Sequence, residues 1–477
     1  MKNRNLRFLV TIFIVRLTTA FMKLIGLKAS HFPGQLAKRL CPDFLSQIEK
    51  PETIIGITGT NGKTTISNLV ADMADHYGLD FAHNAYGSNI EEGIITTLIE
   101  AGTFFGRRRK NLAFLEIDER LTRVIFPEIS PDYLIVSNLF RESYLRNAHA
   151  EFIYGVLKEN IPAKTKLILN ADDMLSYNLA EGHESVSFSI ARLAGEPQFT
   201  RNLIRDVVLC PSCHQPLEDD FIRYHHIGHA HCKNCGWQNG PANYQLLSLQ
   251  KQEDPESEIS ANEMPAADSM VISSRGWKSG STEQIFPFSG ENMLDLYNSL
   301  AAITLYSELG YSPASIAGAL AEVTIGKSRK EIVKIGPHTL YRMLAKGKNP
   351  IAVTRVLDAI MKRPGDKYIV LLVDTSVKEM SPEDNVAWIF DADLDLLAAD
   401  DVKQIVVAGM RSEDIRLALL FAGVGEDKIV CCRDKEKSAD LLRLPDKEST
   451  IAILYELYSE SISRKIVKNL QTRLDGK

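Results

Sequence analysis

The sequence predicts an α/β protein with a mostly parallel sheet, an inserted zinc ribbon and a second, smaller α/β domain. Three observations predict this class. Short β-branched apolar runs alternate with segments of helix length, a Gly-rich turn directly follows the first run, and two Cys-x-x-Cys pairs interrupt the middle of the chain.

The larger domain is predicted over residues 51–325. Its first strand is the apolar run 53–58, and residues 64–77 after the Gly-rich turn are predicted to form a helix. A Leu- and Ala-rich helix is predicted near the end of the domain, at 293–309. Further strands are predicted at 112–117, 133–137 and 166–169, each separated from the next by a segment of helix length.

A smaller, Rossmann-like α/β domain is predicted over residues 326–477. Helical stretches separate its apolar runs, which favours parallel strands. The runs are 367–373, 404–408, 428–431 and 450–454.

Residues 1–50 are predicted to form an N-terminal helical segment. The apolar stretch at 6–22 is broken by Arg7 and Arg16, so it is too short for a membrane-spanning helix of about 20 apolar residues. We favour an amphipathic helix packed on the body of the protein. The alternative is a helix lying on the membrane surface, with its basic side chains reaching the headgroups.

The composition is that of a soluble globular protein. The 477 residues are 45% hydrophobic and 24% charged, which excludes collagen-like and mostly disordered classes. The net charge of -6 argues against a protein that coats nucleic acid, and no nucleic-acid partner is predicted. The seven cysteines are odd in number and clustered, which indicates a reducing compartment and a cytoplasmic location.

The strongest motif is a phosphate-binding loop between the first strand and the helix after it. Glycines let backbone N–H groups approach phosphate oxygens, and the helix N-terminus adds partial positive charge. Lys63 can reach the β- and γ-phosphates of a nucleotide, and the Thr64 hydroxyl can ligate Mg²⁺. The loop is shorter than the strict Walker spacing, since Ile57 occupies the position of the first glycine. Its members are Gly59, Thr60, Asn61, Gly62, Lys63, Thr64 and Thr65.

Carboxylates follow the strand predicted at 112–117. The carboxyl edge of a parallel sheet is where ligands bind, so a carboxylate there can hold the metal that bridges the nucleotide phosphates. Glu116 is the first choice, with Asp118 and Glu119 as alternatives. A solvated charge cluster at the strand end is the competing interpretation.

Four cysteines have the spacing of a zinc ribbon at about 205–240. The two Cys-x-x-Cys pairs are separated by 18 residues, within the 15–20 typical of such sites. Four thiolates fill the tetrahedral coordination of Zn²⁺ and leave no position for water, so the site is predicted to be structural. Nearby histidines are then packing or surface residues. The proposed ligands are Cys210, Cys213, Cys232 and Cys235.

With these motifs in place, the chain resembles the Mur ligase superfamily, whose ATP-binding loop has the form Gly-Thr-Asn-Gly-Lys-Thr-Thr. It resembles most closely the MurT family, the synthase subunits of lipid II isoglutaminyl synthase, which carry a four-cysteine ribbon in the central domain. The shared segments run along nearly the whole chain. They are 32–37, 83–84 with Gly87 and Asn89, 116–119, 137–141, 169–173, 298–302, 348–350 and 388–393.

The resemblance implies a Mur-ligase-like P-loop ATPase domain and an amidation reaction. ATP would phosphorylate the α-carboxylate of D-glutamate in the stem peptide of lipid II, and ammonia would convert the acyl phosphate to D-isoglutamine. The role belongs to peptidoglycan synthesis and so to cell-wall biogenesis and cell shape. Asn298 is implied to contact the nucleotide, with a helix-surface amide as the alternative interpretation. The ammonia would come from a GatD-like glutaminase partner in a heterodimer, and lipid II implies work at the inner face of the membrane.

The chain departs from the family pattern at several positions. In the family, an Asp three residues before the Trp at position 388 is thought to complete the Cys-His pair of the glutaminase. Asn385 stands there in this chain, and the role is assigned to its neighbour Asp384, with Asp391 and Asp374 as alternatives. Asp295 also replaces a family Asn three residues before Asn298.

Two other functions fit the motifs. A stand-alone Mur-type amino-acid ligase would have the same phosphate loop, but such enzymes usually lack the four-cysteine ribbon. A nucleotide-binding scaffold that uses the ribbon for contacts is the second alternative. The absence of Arg/Lys runs near the ribbon weakens a nucleic-acid version of that scaffold.

Overall fold

The computed structural model describes residues 5–26, 31–84, 88–141, 149–251, 259, 266–274, 276–277, 282–323, 330–345, 348–374 and 386–476. The chain divides into two compact units. The first comprises Met1–Phe140, His149–Thr200 and Asp206–Ile325, and the second comprises Arg141–Ala148, Arg201–Arg205 and Gly326–Lys477.

The first unit is built on a nine-stranded sheet with the order β11-β10-β9-β6-β5-β4-β1-β3-β2. Strands β1 to β6 run parallel, and β9 pairs in parallel with β6. Strands β9, β10 and β11 pair antiparallel with one another and extend the sheet. A separate hairpin, β7–β8, carries the cysteine-rich segment. The strands are β1 (Thr53–Thr58), β2 (Phe81–His83), β3 (Leu112–Glu116), β4 (Tyr133–Val136), β5 (Lys166–Asn170), β6 (Ser185–Ile190), β7 (Glu218–Tyr224), β8 (Ile227–His231), β9 (Tyr244–Gln250), β10 (Ser269–Ser274) and β11 (Glu283–Pro287).

Helices of the first unit pack on this sheet around a buried aliphatic core. The central strands are nearly continuous Ile, Leu and Val because both faces of a parallel sheet are covered. The helices are α1 (Leu6–Leu24), α2 (Phe32–Leu40), α3 (Phe44–Gln47), α4 (Lys63–His76), α5 (Glu91–Ala101), α6 (Thr122–Ile125), α7 (Ala150–Asn160), α8 (Met174–Asn178), α9 (Met293–Glu308) and α10 (Pro313–Glu322), with a 3₁₀ turn at Glu119–Leu121.

The second unit has a six-stranded sheet with the order β12-β13-β17-β14-β15-β16. Only the β12–β13 pair is antiparallel, and apolar clusters cover both faces. Its elements are β12 (Lys330–Ile335), β13 (His338–Leu344), α11 (Pro350–Met361), β14 (Asp366–Leu372), β15 (Val402–Ala408), α12 (Ser412–Phe421), β16 (Ile429–Cys432), α13 (Ser438–Leu441), β17 (Ser449–Tyr455) and α14 (Glu460–Asp475). Its 3₁₀ helices are Ala387–Asp391, Leu394–Ala398, Glu426–Lys428, Lys435–Lys437 and Leu457–Ser459.

The predicted strands and helices are present within a few residues of their expected bounds. The sequence prediction missed β2, β6, the antiparallel extension β9 to β11 and the hairpin β12–β13. Strand β9 interrupts its three leucines with Gln and Ser, and β11 has Ile285 and Phe286 beside Glu, Gln and Pro. The strand character of both therefore depends on sheet neighbours more than on local pattern.

The N-terminal helix α1 packs on the body of the first unit, as the favoured interpretation predicts. Phe8, Ile12 and Val15 enter the core, and the Arg16 guanidinium donates to the Ile99, Gly102 and Thr103 carbonyls rather than reaching outward. Within the described ranges, every helix falls short of the length or the apolar character that a bilayer crossing requires.

Candidate functional site: a phosphate loop and a four-cysteine cluster

The predicted phosphate loop connects the carboxyl end of β1 to the first turn of α4. Gly59 and Gly62 have φ values of 123° and 90°, a region that favours glycine. A Cβ on Gly59 would lie 2.2 Å from the Ser137 Oγ, and one on Gly62 would lie 2.4 Å from the Asn298 Oδ1. Both positions therefore need glycine for conformation and for space. The first turn of α4 presents its N–H groups beside the loop, because these groups have no intrahelical acceptor.

Residues that follow β4 hold the outer side of the loop. The Thr60 N–H donates to the Asn138 carbonyl at 2.7 Å, and the Asn61 N–H donates to the Asn138 Oδ1 at 2.9 Å. The Ser137 hydroxyl donates to the Asn61 carbonyl at 2.7 Å. These bonds preorganise the loop, and they use the N–H groups of two of its residues.

Lys63 forms a buried ion pair. Its Nζ lies 2.8 Å from Glu119 Oε1, and both side chains are less than a tenth exposed. The same ammonium donates to the Gly59 carbonyl across the loop. A buried charge that loses its partner costs about 3–5 kcal/mol. A ligand that draws the Lys63 ammonium away from Glu119 must therefore provide interactions that replace this ion pair.

The three candidate carboxylates have different surroundings. Glu116 is buried at the end of β3, where Asn89 Nδ2 donates to its Oε1 at 3.1 Å and Asn84 Oδ1 accepts from its N–H. Burial would raise the pKa of Asp118, but its two hydrogen bonds from the Arg120 side chain outweigh this and hold the pKa below its usual value. Asp118 and Glu119 therefore already have cationic partners, whereas the contacts named for Glu116 are neutral amides.

Asn298 is buried beside the loop. Its side chain on α9 is 1% exposed, and among the described residues neither its Nδ2 nor its Oδ1 has a hydrogen-bond partner. An unsatisfied buried amide costs roughly 1–3 kcal/mol. The side chain is thus not the helix-surface amide of the alternative interpretation, and its empty hydrogen-bonding capacity next to Gly62 fits a polar ligand on the loop.

The four cysteines of the ribbon converge. Their sulfurs all lie within 4.8 Å of one another, with 3.6 Å between Cys210 and Cys235 and 3.5 Å between Cys213 and Cys232. A tetrahedral ZnS₄ centre with Zn–S of about 2.3 Å has S···S separations of roughly 3.8 Å, so the cluster fits this ion. Each pair forms a tight knuckle, closed by Cys210 N–H to the Gln215 carbonyl and Cys232 N–H to the Trp237 carbonyl.

The residues after the two knuckles have matching backbone geometry. His214 and Gly236 each follow the second cysteine of a pair and have φ values of 58° and 75°. Two other histidines of the segment, His225 and His226, are buried and pack against Phe140. Within the described residues, the metal-type cluster contains the four cysteines and no histidine.

A buried polar network joins the ribbon hairpin to helix α9. Arg223 on β7 lies 3.0 Å from Asp172 Oδ2 and contacts Glu196, and its NH1 donates to the Tyr297 hydroxyl at 2.6 Å. Burial would raise the pKa of Asp172, but the hydrogen bond with His229 and the Arg223 charge hold it below its usual value. Since Tyr297 precedes Asn298 on α9, the network braces the helix that places this amide beside the phosphate loop.

The residue assigned to the glutaminase partner, Asp384, and its neighbour Asn385 lie outside the described residues. The alternative Asp374 is buried at the end of β14, where Lys435 Nζ lies 2.6 Å from its Oδ1. The other alternative, Asp391, lies 3.5 Å from the Arg141 NH1.

Sequence reasoning did not assign roles to the residues that support the site. Ser137 and Asn138 brace the loop, and Asn84 and Asn89 hold Glu116. Glu119, predicted from the sequence as an alternative metal carboxylate, pairs with Lys63. The available signal was position. Each polar group follows the end of a strand, and parallel strands end at one edge of the sheet.

The fold and the loop define the class of protein. The chain has the fold of the Mur ligases. It superposes on a pseudomurein peptide ligase type C from Methanothermus fervidus with a TM-score of 0.66 and 18% identity, covering 90% of this chain and 81% of that one. For MurF from Acinetobacter baumannii, the TM-score is 0.60 and the identity 12%, covering 92% and 80%.

Within this class, the chain resembles MurT. Residues 347–459 match the MurT ligase C-terminal family. The chain is 27% identical over 445 residues to the MurT subunit of the glutamine-hydrolysing lipid II isoglutaminyl synthase of Staphylococcus aureus strain COL, covering 93% of this chain and 94% of the relative. For the Streptococcus pneumoniae subunit the identity is 25% over 450 residues, covering 92% and 94%. The fold class and the resemblance predicted from the sequence are confirmed.

Proposed function

We propose that this chain is the synthase subunit of a lipid II isoglutaminyl synthase, a carbon–nitrogen ligase that uses ATP. The observation that carries the proposal is the phosphate loop on β1 with Lys63, Glu116 and Asn298 around it, in a chain similar to MurT subunits over nearly its full length. The division into a segment 1–50, an ATP-binding domain 51–325 and a C-terminal domain 326–477 stays a prediction.

The loop residues Gly59 to Thr65 would hold the phosphates of ATP. The N–H groups at the start of α4 would bind the β-phosphate, and Lys63 would leave Glu119 to neutralise the γ-phosphate. The side-chain amide of Asn298 would form hydrogen bonds with the nucleotide. Glu116 and the Thr64 hydroxyl would hold Mg²⁺, which supplies charge neutralisation between the phosphates when bound.

The reaction would proceed in two displacements. A carboxylate oxygen of the lipid II D-glutamate attacks the γ-phosphorus, the bond to the β-phosphate oxygen breaks, and ADP leaves. Ammonia then attacks the acyl carbon, phosphate departs with its bridging oxygen, and the nitrogen loses a proton to give the amide. Lys63 would stabilise the charge on the transferring group, because phosphoryl transfer depends mainly on positioning and electrostatics.

Zn²⁺ would bind the four cysteines in a structural role. The ribbon would keep Arg223 in place and, through Tyr297, the helix that carries Asn298. Its contribution to the reaction would therefore be the shape of the nucleotide site.

A separate glutaminase of GatD type would supply the ammonia. The MurT relatives are named as subunits of a glutamine-hydrolysing enzyme, which implies a partner. Asp384 would orient the catalytic histidine of that partner from the second unit. Loss of the equivalent carboxylate costs about 10⁴-fold in a well-studied triad. The complex would act in the cytoplasm, on lipid II at the inner face of the membrane.

The test measures amidation by mass spectrometry, as a one-oxygen-to-NH exchange on lipid II. The chain is incubated with ATP and ammonium, or with ATP, glutamine and its partner. Both conditions should give product. Asp384→Asn should reduce the glutamine-driven reaction and spare the ammonia-driven one, and Asp400→Asn, at an exposed carboxylate of the same unit, should change neither.

Contrary outcomes would identify another function for the chain or another role for Asp384. Joining of an amino acid instead of ammonia would mean a stand-alone Mur-type ligase. Nucleotide binding without ligation under any condition would mean a scaffold. An equal fall of both reactions in Asp384→Asn would place this residue in the fold or the ligase site rather than opposite the glutaminase.

A further inference from the structure

The outer face of helix α1 is apolar. The inner face is buried through Phe8, Ile12 and Val15, which is the pattern of a helix packed on a core. A packed surface helix carries mostly polar residues on its other side, whereas α1 exposes mostly apolar ones there, with Arg7 and Lys23 among them. Eight large apolar side chains of α1 are exposed by 37% to 83%: Leu6, Leu9, Val10, Phe13, Ile14, Leu17, Phe21 and Leu24. This exceeds the scattered exposed apolar residues of an ordinary surface.

A second element extends the same surface. The loop 102–110 between α5 and β3 exposes Phe104 and Phe105, and the Phe104 ring contacts Phe13 edge-to-face at 5.8 Å. The loop sits firmly on α1, because a Cβ on Gly106 would lie 2.8 Å from both Phe8 and Ile12. We call α1 and the loop 102–110 the N-terminal face. A groove of about 400 Å³ opens on it, lined by Leu6, Arg7, Val10, Thr11, Ile14 and Leu40.

The charge around the N-terminal face is opposite to that of the whole chain. The net charge of the chain is -6, yet residues 1–42 contain no Asp or Glu. The loop continues into Arg107, Arg108, Arg109 and Lys110, of which Arg107 and Arg109 are exposed. Acidic partners nearby are Glu100 on Lys23, Glu91 and Glu92 on Lys38, Glu52 on Arg108 and Asp80 on Lys110. The basic residues of the first 42 are Lys2, Arg4, Arg7, Arg16, Lys23, Lys28, Lys38 and Arg39.

We propose that the N-terminal face binds the surface of an anionic lipid bilayer, with Phe and Leu side chains at the level of the acyl-chain boundary and basic residues among the headgroups. An amphipathic element with aromatic and aliphatic residues beside Arg and Lys has the chemistry that such surfaces bind. A second copy of the chain fits less well, since two identical faces would bring the exposed Arg7, Arg107 and Arg109 of one chain against the same cations of the other.

The test is flotation of the full chain with vesicles. Vesicles of phosphatidylcholine with about one-third phosphatidylglycerol should bind the protein, and vesicles of phosphatidylcholine alone or anionic vesicles in high salt should bind it at least about tenfold more weakly. The double variant Phe21→Ser, Phe105→Ser should lower binding to anionic vesicles at least tenfold. The matched control Phe421→Ser removes a ring that is 76% exposed in the second unit and should bind as the parent does.

Thermal unfolding and ADP binding of each variant establish that the fold is retained. The proposal is overturned if the parent protein does not float with anionic vesicles, or if the double variant floats equally well. It is also overturned if light scattering shows that the parent and the control are dimers and only the double variant is a monomer, while neither the parent nor the double variant binds vesicles. That result would make a second copy the occupant of the face.

Discussion

Replacing Asn298 by leucine is expected to stabilise the protein without nucleotide and to weaken nucleotide binding. The amide is 1% exposed, and both of its polar atoms are without a hydrogen-bond partner among the described residues. Leucine has a similar shape and carries no polar atoms. The substitution therefore removes a desolvation cost from the ligand-free state and removes two hydrogen-bonding groups from the liganded state.

The magnitudes follow from these two effects. An unsatisfied buried amide costs roughly 1–3 kcal/mol, which Asn298→Leu should return to the ligand-free protein. A unit of about 300 residues shifts by about 1.5 °C per kcal/mol, so the midpoint of thermal unfolding should rise by about 2–5 °C. Two neutral hydrogen bonds to the nucleotide contribute about 1–3 kcal/mol, so ADP should bind about 5- to 150-fold more weakly.

The assay is thermal unfolding with and without ADP and Mg²⁺, together with calorimetric titration of ADP. The control is Ser189→Ala on β6, which removes a buried hydroxyl that, like the Asn298 amide, has no partner among the described residues. This control should raise the midpoint slightly and leave ADP affinity unchanged. If Asn298→Leu lowers the midpoint and ADP binds within twofold of the parent, the amide is a packing group and the reasoning is refuted.

Three further predictions concern the ion pair, the cysteines and a buried histidine. Lys63→Met should abolish amidation and also lower the unfolding midpoint, because Glu119 stays buried without its partner. Adding Glu119→Gln should restore the unfolding midpoint but not the activity. Recovered activity would exclude a role for Lys63 in neutralising the phosphate charge. Cys213→Ser should release Zn²⁺ and reduce solubility, while the control Cys431→Ser should do neither. The zinc content is measured on protein purified without chelator. Equal zinc in the parent and both variants would contradict the zinc assignment. Burial lowers the pKa of His83 to about 4. Between about pH 6.5 and pH 4, the unfolded chain therefore binds a proton at this histidine that the folded chain does not bind. The free energy of unfolding should fall by up to about 2–3 kcal/mol as the pH is lowered through this range. Denaturant unfolding of His83→Gln should lack this part of the pH dependence, and an unchanged profile would argue against it.

The sequence alone determined those features whose chemistry lies within a short segment. The loop Gly59–Thr65 is recognisable because the turn, the lysine and the helix start are contiguous, and the four cysteines are recognisable because two knuckles need a fixed spacing. The alternation of apolar runs with helical segments likewise determined the parallel sheet, since both signals are local.

Only the tertiary structure decided which groups meet. Lys63 and Glu119 are 56 residues apart in the chain, and they pair because β1 and β3 are neighbours whose carboxyl ends meet at one edge. The burial of Asn298 depends on the packing of α9 against the loop, which helical periodicity cannot reveal because α9 is buried nearly all round. The sequence shows that α1 is apolar on more than one side. The structure decides which side is exposed, because it places Phe8, Ile12 and Val15 in the core. Contacts distant in sequence depend on how strands are ordered in the sheet, and no local pattern encodes that order.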